Sequence, residues 1–368
     1  MEISLTVLSF IFIFGLVIGS FLNVVILRTV SEESIVFPAS KCPKCQTPLR
    51  WYHNIPVLSY IFLKGKCAFC HEHISIQYPL VELFTGIMFV AFFIKFCNPF
   101  DEIFGLSAMN PISWNQPSIY IYIVALIALC LFIVISGTDF IEKKVSDAHT
   151  YSLIGLGVIT AIIYSATNVI LFAKLNGMPE LNLQFFLKCP ILYSIANAVI
   201  GFLIMEIISR LGILFVGTRA FGEGDSYIAA GIGALFGTLI GISSTYAGEF
   251  IMTFYALISV LILSVIIQLI LTLPIFIKKL INNKNIKTLS AICAFTVTAI
   301  AYFSASNSNL LDNKIIYAIS TILLVILGLY TCKNIISGIK NNQAEGLYLP
   351  FGPAMAIAAV IMLLAYSL

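Results

Sequence analysis

Residues 3–27 read ISLTVLSFIFIFGLVIGSFLNVVIL, twenty-five positions without a charged side chain, ended by Arg28. Roughly 20 consecutive apolar residues suffice for a helix to cross a bilayer, so this stretch predicts a transmembrane helix at the N-terminus. It is longer than the core of a signal peptide, has no positive region before it (Met1-Glu2-Ile3) and no small-residue cleavage site behind it, and reads as a retained span. Comparable runs follow at 79–96, 118–137, 151–173, 190–217, 228–244, 250–277, 288–305, 315–331 and 350–367. The chain of 368 residues is 60% hydrophobic and 10% charged, with a mean hydropathy of +1.02; ordinary soluble domains carry about 25% charged residues. The expected fold is an all-α polytopic membrane protein of eight to ten transmembrane helices, because helices satisfy their own backbone in lipid. Cytosolic enzymes, disordered tails and disulfide-stapled secreted modules are excluded. A net charge of +3, with no basic run interleaved with aromatics, gives no footing for nucleic acid.

With the N-terminus outside, alternating loops place fifteen Lys and Arg residues on one side, from Arg28 to Lys340, against Lys174, Lys188 and Lys314 on the other. That asymmetry marks the first side as cytoplasmic. The one sizeable cytoplasmic element is then residues 28–78, between the first two spans. It holds Cys42-Pro-Lys-Cys45 and Cys67-Ala-Phe-Cys70. Two residues between cysteines let a tight turn aim both sulfurs at one point, and two such turns can close a tetrahedron around Zn²⁺. A structural zinc would supply folding energy to a segment too short for a core of its own; a dithiol redox pair and free thiols are the competing readings. His53, His71 and His73 are expected at the surface, and Cys97, Cys130, Cys189, Cys293 and Cys332 as small packing residues.

Two aspartates fall at the cytoplasmic edge: Asp139, closing the third span in Ser-Gly-Thr-Asp, and Asp225, opening the sixth in Gly222-Glu223-Gly224-Asp225. Either alone reads as an interfacial cap. Two carboxylates brought together share a proton, so that one activates water while the other protonates the carbonyl or leaving amine, the chemistry of peptide-bond hydrolysis. Gly222 and Gly224 would let an extended substrate backbone approach. Gly233, Gly237 and Gly241 give the sixth span a small-residue face, expected to hold Asp225 near the third span. Glu142 and Asp147 lie in a loop with Lys143 and Lys144 and read as solvated. Glu206 and Arg210, four apart in one helix, can neutralise each other. Glu82, near the start of the second span, is either an edge residue or a supporting functional one.

Gly19-Ser-Phe-Leu-Asn-Val-Val-Ile26, the cysteine quartet around Asn54-Ile55-Pro56, Tyr78-Pro-Leu-Val-Glu-Leu83, the Asp139 region, Gly222-Glu-Gly-Asp225 and Pro350-Phe-Gly-Pro353 together resemble the bacterial prepilin peptidases. These type IV leader peptidases are membrane aspartic proteases that are also N-methyltransferases. The resemblance runs in family order from residue 19 to 353. It implies removal of the leader of prepilins or pseudopilins, the precursors of type IV pili and type II secretion pseudopili, on the cytoplasmic side after a glycine. Methylation of the new N-terminus from S-adenosylmethionine follows. It places the family's catalytic pair on Asp139 and Asp225 and its zinc ligands on Cys42, Cys45, Cys67 and Cys70, with the methyltransferase function associated with the N-terminal region. The organisation expected is a first span (1–27), the zinc-binding cytoplasmic domain (28–78), a transmembrane peptidase core (79–279), an inserted region with two extra candidate spans (280–349) and a last span (350–368). The site would face the cytoplasm from the bacterial inner membrane. Where the family usually has Pro-Asp this chain has Ser146-Asp147; Tyr227 stands in place of a lysine and Gln77 in place of a basic residue. Gly155-Leu-Gly157 lies in an apolar run and is no nucleotide-binding turn. A transporter with a regulatory zinc module and proton-carrying aspartates is the alternative from another class; it expects acids near the bilayer midplane.

Overall fold

A computed structural model describes residues 2–37, 40–96, 117–143, 145–176, 189–216, 219, 221–243, 249–282, 350–365 and isolated positions between 290 and 330. Among them are helices α1 (Glu2–Val30), α2 (Leu58–Phe62), α3 (Gln77–Phe96), α4 (Pro117–Glu142), α5 (Asp147–Asn176), α6 (Pro190–Val216), α7 (Glu223–Ser243), α8 (Glu249–Asn282) and α9 (Gly352–Ala365). Seven of them, α1 and α3 to α8, are long and apolar enough to cross a membrane, so the chain is an all-α polytopic membrane protein. The expected spans at 288–305 and 315–331 lie almost wholly outside the described residues. The last one is described as the 14-residue apolar helix α9, shorter than a full crossing.

The chain forms two compact units. One contains Met1–Ile208, Phe221–Val265 and Pro350–Leu368; the other contains Ser209–Ala220 and Ile266–Leu349, with Pro274 inside the long helix α8. All that follows concerns the first unit.

Its central element is α7. The apolar window of this helix is 94% buried, against 28–44% for the other six spans, although its hydropathy is the lowest of the seven. A helix surrounded by protein does not have to dissolve in lipid, and its sequence is chosen for close approach instead. A Cβ on Gly233 would collide with the carbonyl of Asn197, and one on Gly237 would stand 2.5 Å from that of Tyr193. The glycine row therefore seats α7 against α6, whereas its expected use was to hold Asp225 near the third span. On another face Gly157 of α5 meets the backbone of Ala234, and the Thr238 hydroxyl donates to the Gly157 carbonyl at 2.8 Å. A second close crossing joins α1 to α3: a Cβ on Gly15 would stand 2.8 Å from Gly86 Cα, and one on Gly19 would stand 2.8 Å from Glu82 Cα. Gly15 and Gly19 are four apart, the spacing that lets two membrane helices touch backbones. Leu22, Val25 and Ile26 of α1 then pack on Val134 of α4, and Ile26 covers Gly137. These contacts bring the ends of α1 and α4 and the beginning of α3 to one edge of the bundle.

Candidate functional site

At that edge Asp139 lies in the last turn of α4; its carbonyl accepts from the Lys143 amide at 2.8 Å, and Lys143 turns the chain with a φ of 56°. Asp225 lies in the first turn of α7, and the Gly222 amide donates to its Oδ2 at 3.0 Å. An acidic side chain in the first turn that reaches back to the residue before the helix satisfies an otherwise unpaired backbone donor. Oδ2 of Asp139 is held in the same way by a distant partner, the amide of Gly352 at the start of α9, also at 3.0 Å. Each aspartate thus has one oxygen fixed by a glycine amide at a helix N-terminus, where the backbone favours negative charge. The two glycine turns are locked to each other, because the rings of Phe221 and Phe351 lie 4.6 Å apart. Both aspartates are 3% exposed, and their carboxyl groups are near enough to interact electrostatically. Two buried acids with one oxygen each pinned can divide the roles of proton donor and proton acceptor toward a group placed between them.

In the sequence Gly352 stands out only as part of the Pro350-Phe-Gly-Pro353 motif. Its signal was a Phe-Gly-Pro at the start of an apolar run, which marks a helix start but not a partner 213 residues away. A Cβ at this position would stand 2.5 Å from Asp139 Oδ2, so only glycine allows the approach. Gly224 differs from expectation in its surroundings: an added Cβ would meet Val145 at 2.7 Å, so its missing side chain admits the α4–α5 connection. Glu206 accepts from the Ser226 hydroxyl at 3.5 Å, which ties α6 to the residue after Asp225. Tyr227 packs its ring on Tyr151 and Phe202 at 5.5 and 5.3 Å.

The four paired cysteines meet in the segment between α1 and α3. Their sulfurs all lie within 4.8 Å of one another, with Cys42 and Cys70 at 3.9 Å. Two equivalent turns build the cluster. The Cys42 amide donates to Thr47 and the Gln46 amide to Cys42; twenty-five residues on, the Cys67 amide donates to Glu72 and the His71 amide to Cys67. Gln46 and His71, each directly after its pair, both have a φ near +58° (57° and 59°), and the bridges Lys41 to Pro48 and Lys66 to His73 close the two loops alike. Hydrogen bonds from the Thr47 hydroxyl and then its amide hold the Cys45 thiol down to about 6. The amides of Cys70 and Phe69 lower Cys67 as well. At Cys70 the Glu72 amide pulls the same way, but lost hydration and the three facing sulfurs outweigh it, and that thiol stands at about 11. Four sulfurs directed at one point, in part poised as thiolates and in part opposing one another's charge, form a donor set that a soft divalent cation fits. His71 and His73 are exposed and His53 half-buried, with the His53 ring stacked edge-on against Tyr52 and Phe69.

Glu82 sits between the cysteine module and the bundle. It is buried, and its Oε2 accepts from the Val57 amide at 2.7 Å. One turn higher, Asn23 of α1 donates to the Tyr78 carbonyl at 3.1 Å. Val57 has a φ of 59°, a costly conformation for a β-branched residue, held by this contact.

Residues 13–96 match the bacterial peptidase A24 N-terminal domain. Three proteins named prepilin leader peptidase/N-methyltransferase are similar to this chain. The Myxococcus xanthus protein is 54% identical over 82 residues, 22% of this chain and 24% of that protein. The Neisseria gonorrhoeae protein is 30% identical over 61% of this chain and 72% of its own length, and the Klebsiella pneumoniae protein 31% identical over 62% and 85%. No solved structure matches. On the breadth of these likenesses the chain belongs to the prepilin leader peptidase/N-methyltransferase family.

Proposed function

We propose that this chain is a membrane aspartic endopeptidase that removes the leader of type IV prepilins or pseudopilins after a glycine, with Asp139 and Asp225 as its catalytic pair. The observation that carries the reading is the juxtaposition of two buried carboxyl groups from different spans at one membrane edge, each fixed through one oxygen by a glycine amide. One carboxylate takes a proton from water as the water oxygen attacks the scissile carbonyl carbon. The other, protonated, gives its proton to the carbonyl oxygen; when the tetrahedral intermediate collapses it takes a proton back from that hydroxyl, and the first carboxyl passes the proton gained from water to the leaving amine. Gly352 and Gly222 act as positioning residues. They hold one oxygen of each acid away from the substrate and leave the other to do the chemistry.

The edge faces the cytoplasm of the bacterial inner membrane in this reading, supported by the fifteen-to-three distribution of Lys and Arg. The complete bundle has eight to ten spans, and residues 79–279 form the peptidase core. Residues 28–78 form a cytoplasmic domain in which Cys42, Cys45, Cys67 and Cys70 hold a structural Zn²⁺, which when bound ties the two turns together. Methylation of the new N-terminus from S-adenosylmethionine is supported by the relatives' names. The transporter alternative expects acids at mid-bilayer, and both aspartates sit at span ends.

The test is incubation of the purified protein with a prepilin peptide and S-adenosylmethionine, reading product masses. Wild type releases the leader and adds one methyl to the mature N-terminus; Asp139→Asn and Asp225→Asn each abolish release while methylation of pre-cleaved substrate persists. Leader release by either variant at the wild-type rate refutes the assignment.

A further inference from the structure

The cysteine module carries a short helix with large apolar side chains open to the outside. In α2 the side chains of Leu58, Ile61 and Phe62 are 51, 61 and 80% exposed. Their spacing of three and four puts them on one helical face, and Ile55, just upstream, is exposed too. The opposite face is turned inward, where Tyr60 packs its ring beside Gly65. Such an amphipathic turn buries its outer face against something.

The position of α2 says what that is. Its first turn begins directly after Val57, whose amide is bound to Glu82. Glu82 is the sixth residue of α3, in a span that begins at Gln77. At 1.5 Å per residue, Val57 therefore stands about 7 Å inside the start of a membrane-spanning helix. The polar and headgroup layer is roughly 5–7 Å thick on each side of the hydrocarbon, so with Gln77 at its outer face α2 starts at its inner boundary, beside the acyl chains. The charge agrees. Between residues 41 and 76 there are five Lys and Arg (Lys41, Lys44, Arg50, Lys64 and Lys66) and one acid, Glu72. Lys64 and Lys66 directly follow α2 and are exposed, where they can pair with lipid phosphates. A basic leader peptide would meet like charge on the same surface.

We propose that the module is a monotopic element: the Leu58–Ile61–Phe62 face of α2 inserts among the acyl chains at the surface of an anionic phospholipid bilayer, with Lys64 and Lys66 on the headgroup phosphates. This goes beyond the peptidase reading and does not depend on it. The cysteine cluster is thereby held at the membrane surface, level with the helix ends that carry the two aspartates.

Full-length protein in nanodiscs of phosphatidylcholine and phosphatidylglycerol tests it. The chain has two tryptophans, Trp51 and Trp114; replacing both by Phe and introducing Phe62→Trp gives one reporter at an already exposed aromatic position. Lipids brominated near the headgroup end of the acyl chains should quench its emission at least twofold, while aqueous iodide quenches little. Quenching by iodide and not by bromolipid overturns the proposal. So does protection from iodide that arises only when a prepilin peptide is added, since the face would then belong to the substrate. Should the reporter variant not fold, wild-type protein with an acyl-chain photoreactive phosphatidylglycerol should be labelled within residues 55–64. The charge-reversed pair Lys64→Glu and Lys66→Glu should lose at least half of that label in anionic discs but not in phosphatidylcholine discs that carry an acyl-chain photoreactive phosphatidylcholine as the probe. Labelling confined to the spans overturns the proposal as well.

Discussion

Asp139 shows how little of a reactive group's environment lies near it in sequence. Its fixed oxygen is held by an amide 213 residues downstream, and the approach exists because Gly352 has no side chain. Gly352→Ala inserts a methyl at 2.5 Å from that oxygen and has to move either the carboxylate or the start of α9. Misplacing a reacting group by about 1 Å costs on the order of 100-fold in rate. The expected outcome is a 10- to 100-fold loss of leader cleavage with the thermal unfolding midpoint lowered by only a few degrees. A variant that cleaves normally would mean that the amide is not needed for positioning. Glu82 and Val57 show the same dependence on distant partners: nothing local to Tyr-Pro-Leu-Val-Glu names a backbone amide 25 residues upstream as its partner.

At the scale of the element, α7 is the helix whose sequence is least lipid-like and whose burial is greatest. Small residues in a run are legible as a packing face, but the neighbour they receive is not, because any helix fits a flat groove. The structure gives that place to α6 and α5. Gly233→Leu drives a side chain into the Asn197 carbonyl, a backbone group that cannot rotate away, whereas Gly155 of α5 has nothing within 4 Å of an added Cβ. Overpacking of this kind costs at least about 1–3 kcal/mol. Gly233→Leu is therefore expected to abolish monodisperse protein in detergent, and Gly155→Leu to leave yield and unfolding midpoint within error of wild type. Comparable elution profiles for the two variants would contradict this account of the bundle's centre. The cysteine turns were more legible, since each pair fixes its own loop through short-range amide bonds, and their meeting needed only that two like turns face each other.

For the whole molecule, the cysteine module and the helical bundle are stabilised by different forces. The bundle packs through small-residue crossings in lipid, while residues 28–78 have two short helical turns and the sulfur cluster. A structural metal contributes about 10–16 kcal/mol of apparent binding free energy to small modules of this kind. Stripping it with a strong chelator should loosen the backbone around Lys41, Lys44, Arg50, Lys64 and Lys66, let trypsin cleave there and yield fragments from that segment, while a core beginning near residue 79 survives. Cleavage patterns identical before and after chelation, on protein shown by metal analysis to carry zinc beforehand, would remove zinc from its structural role.

The sequence by itself determined that the chain crosses a membrane repeatedly as helices, and it made one cluster of the four cysteines and a pairing of Asp139 with Asp225 the expectation. Each of these follows from local chemistry: apolar length against bilayer thickness, a two-residue spacing that converges sulfurs, an acid at a span end. The tertiary structure alone decided that α7 is the centre, that its glycines receive α6, that Gly352 holds Asp139, and that Glu82 anchors Val57. Those are choices among partners far apart in the chain. They are made by which backbones can approach without a Cβ between them and which buried carboxylate finds an unpaired amide, and neither is written in the spacing of residues.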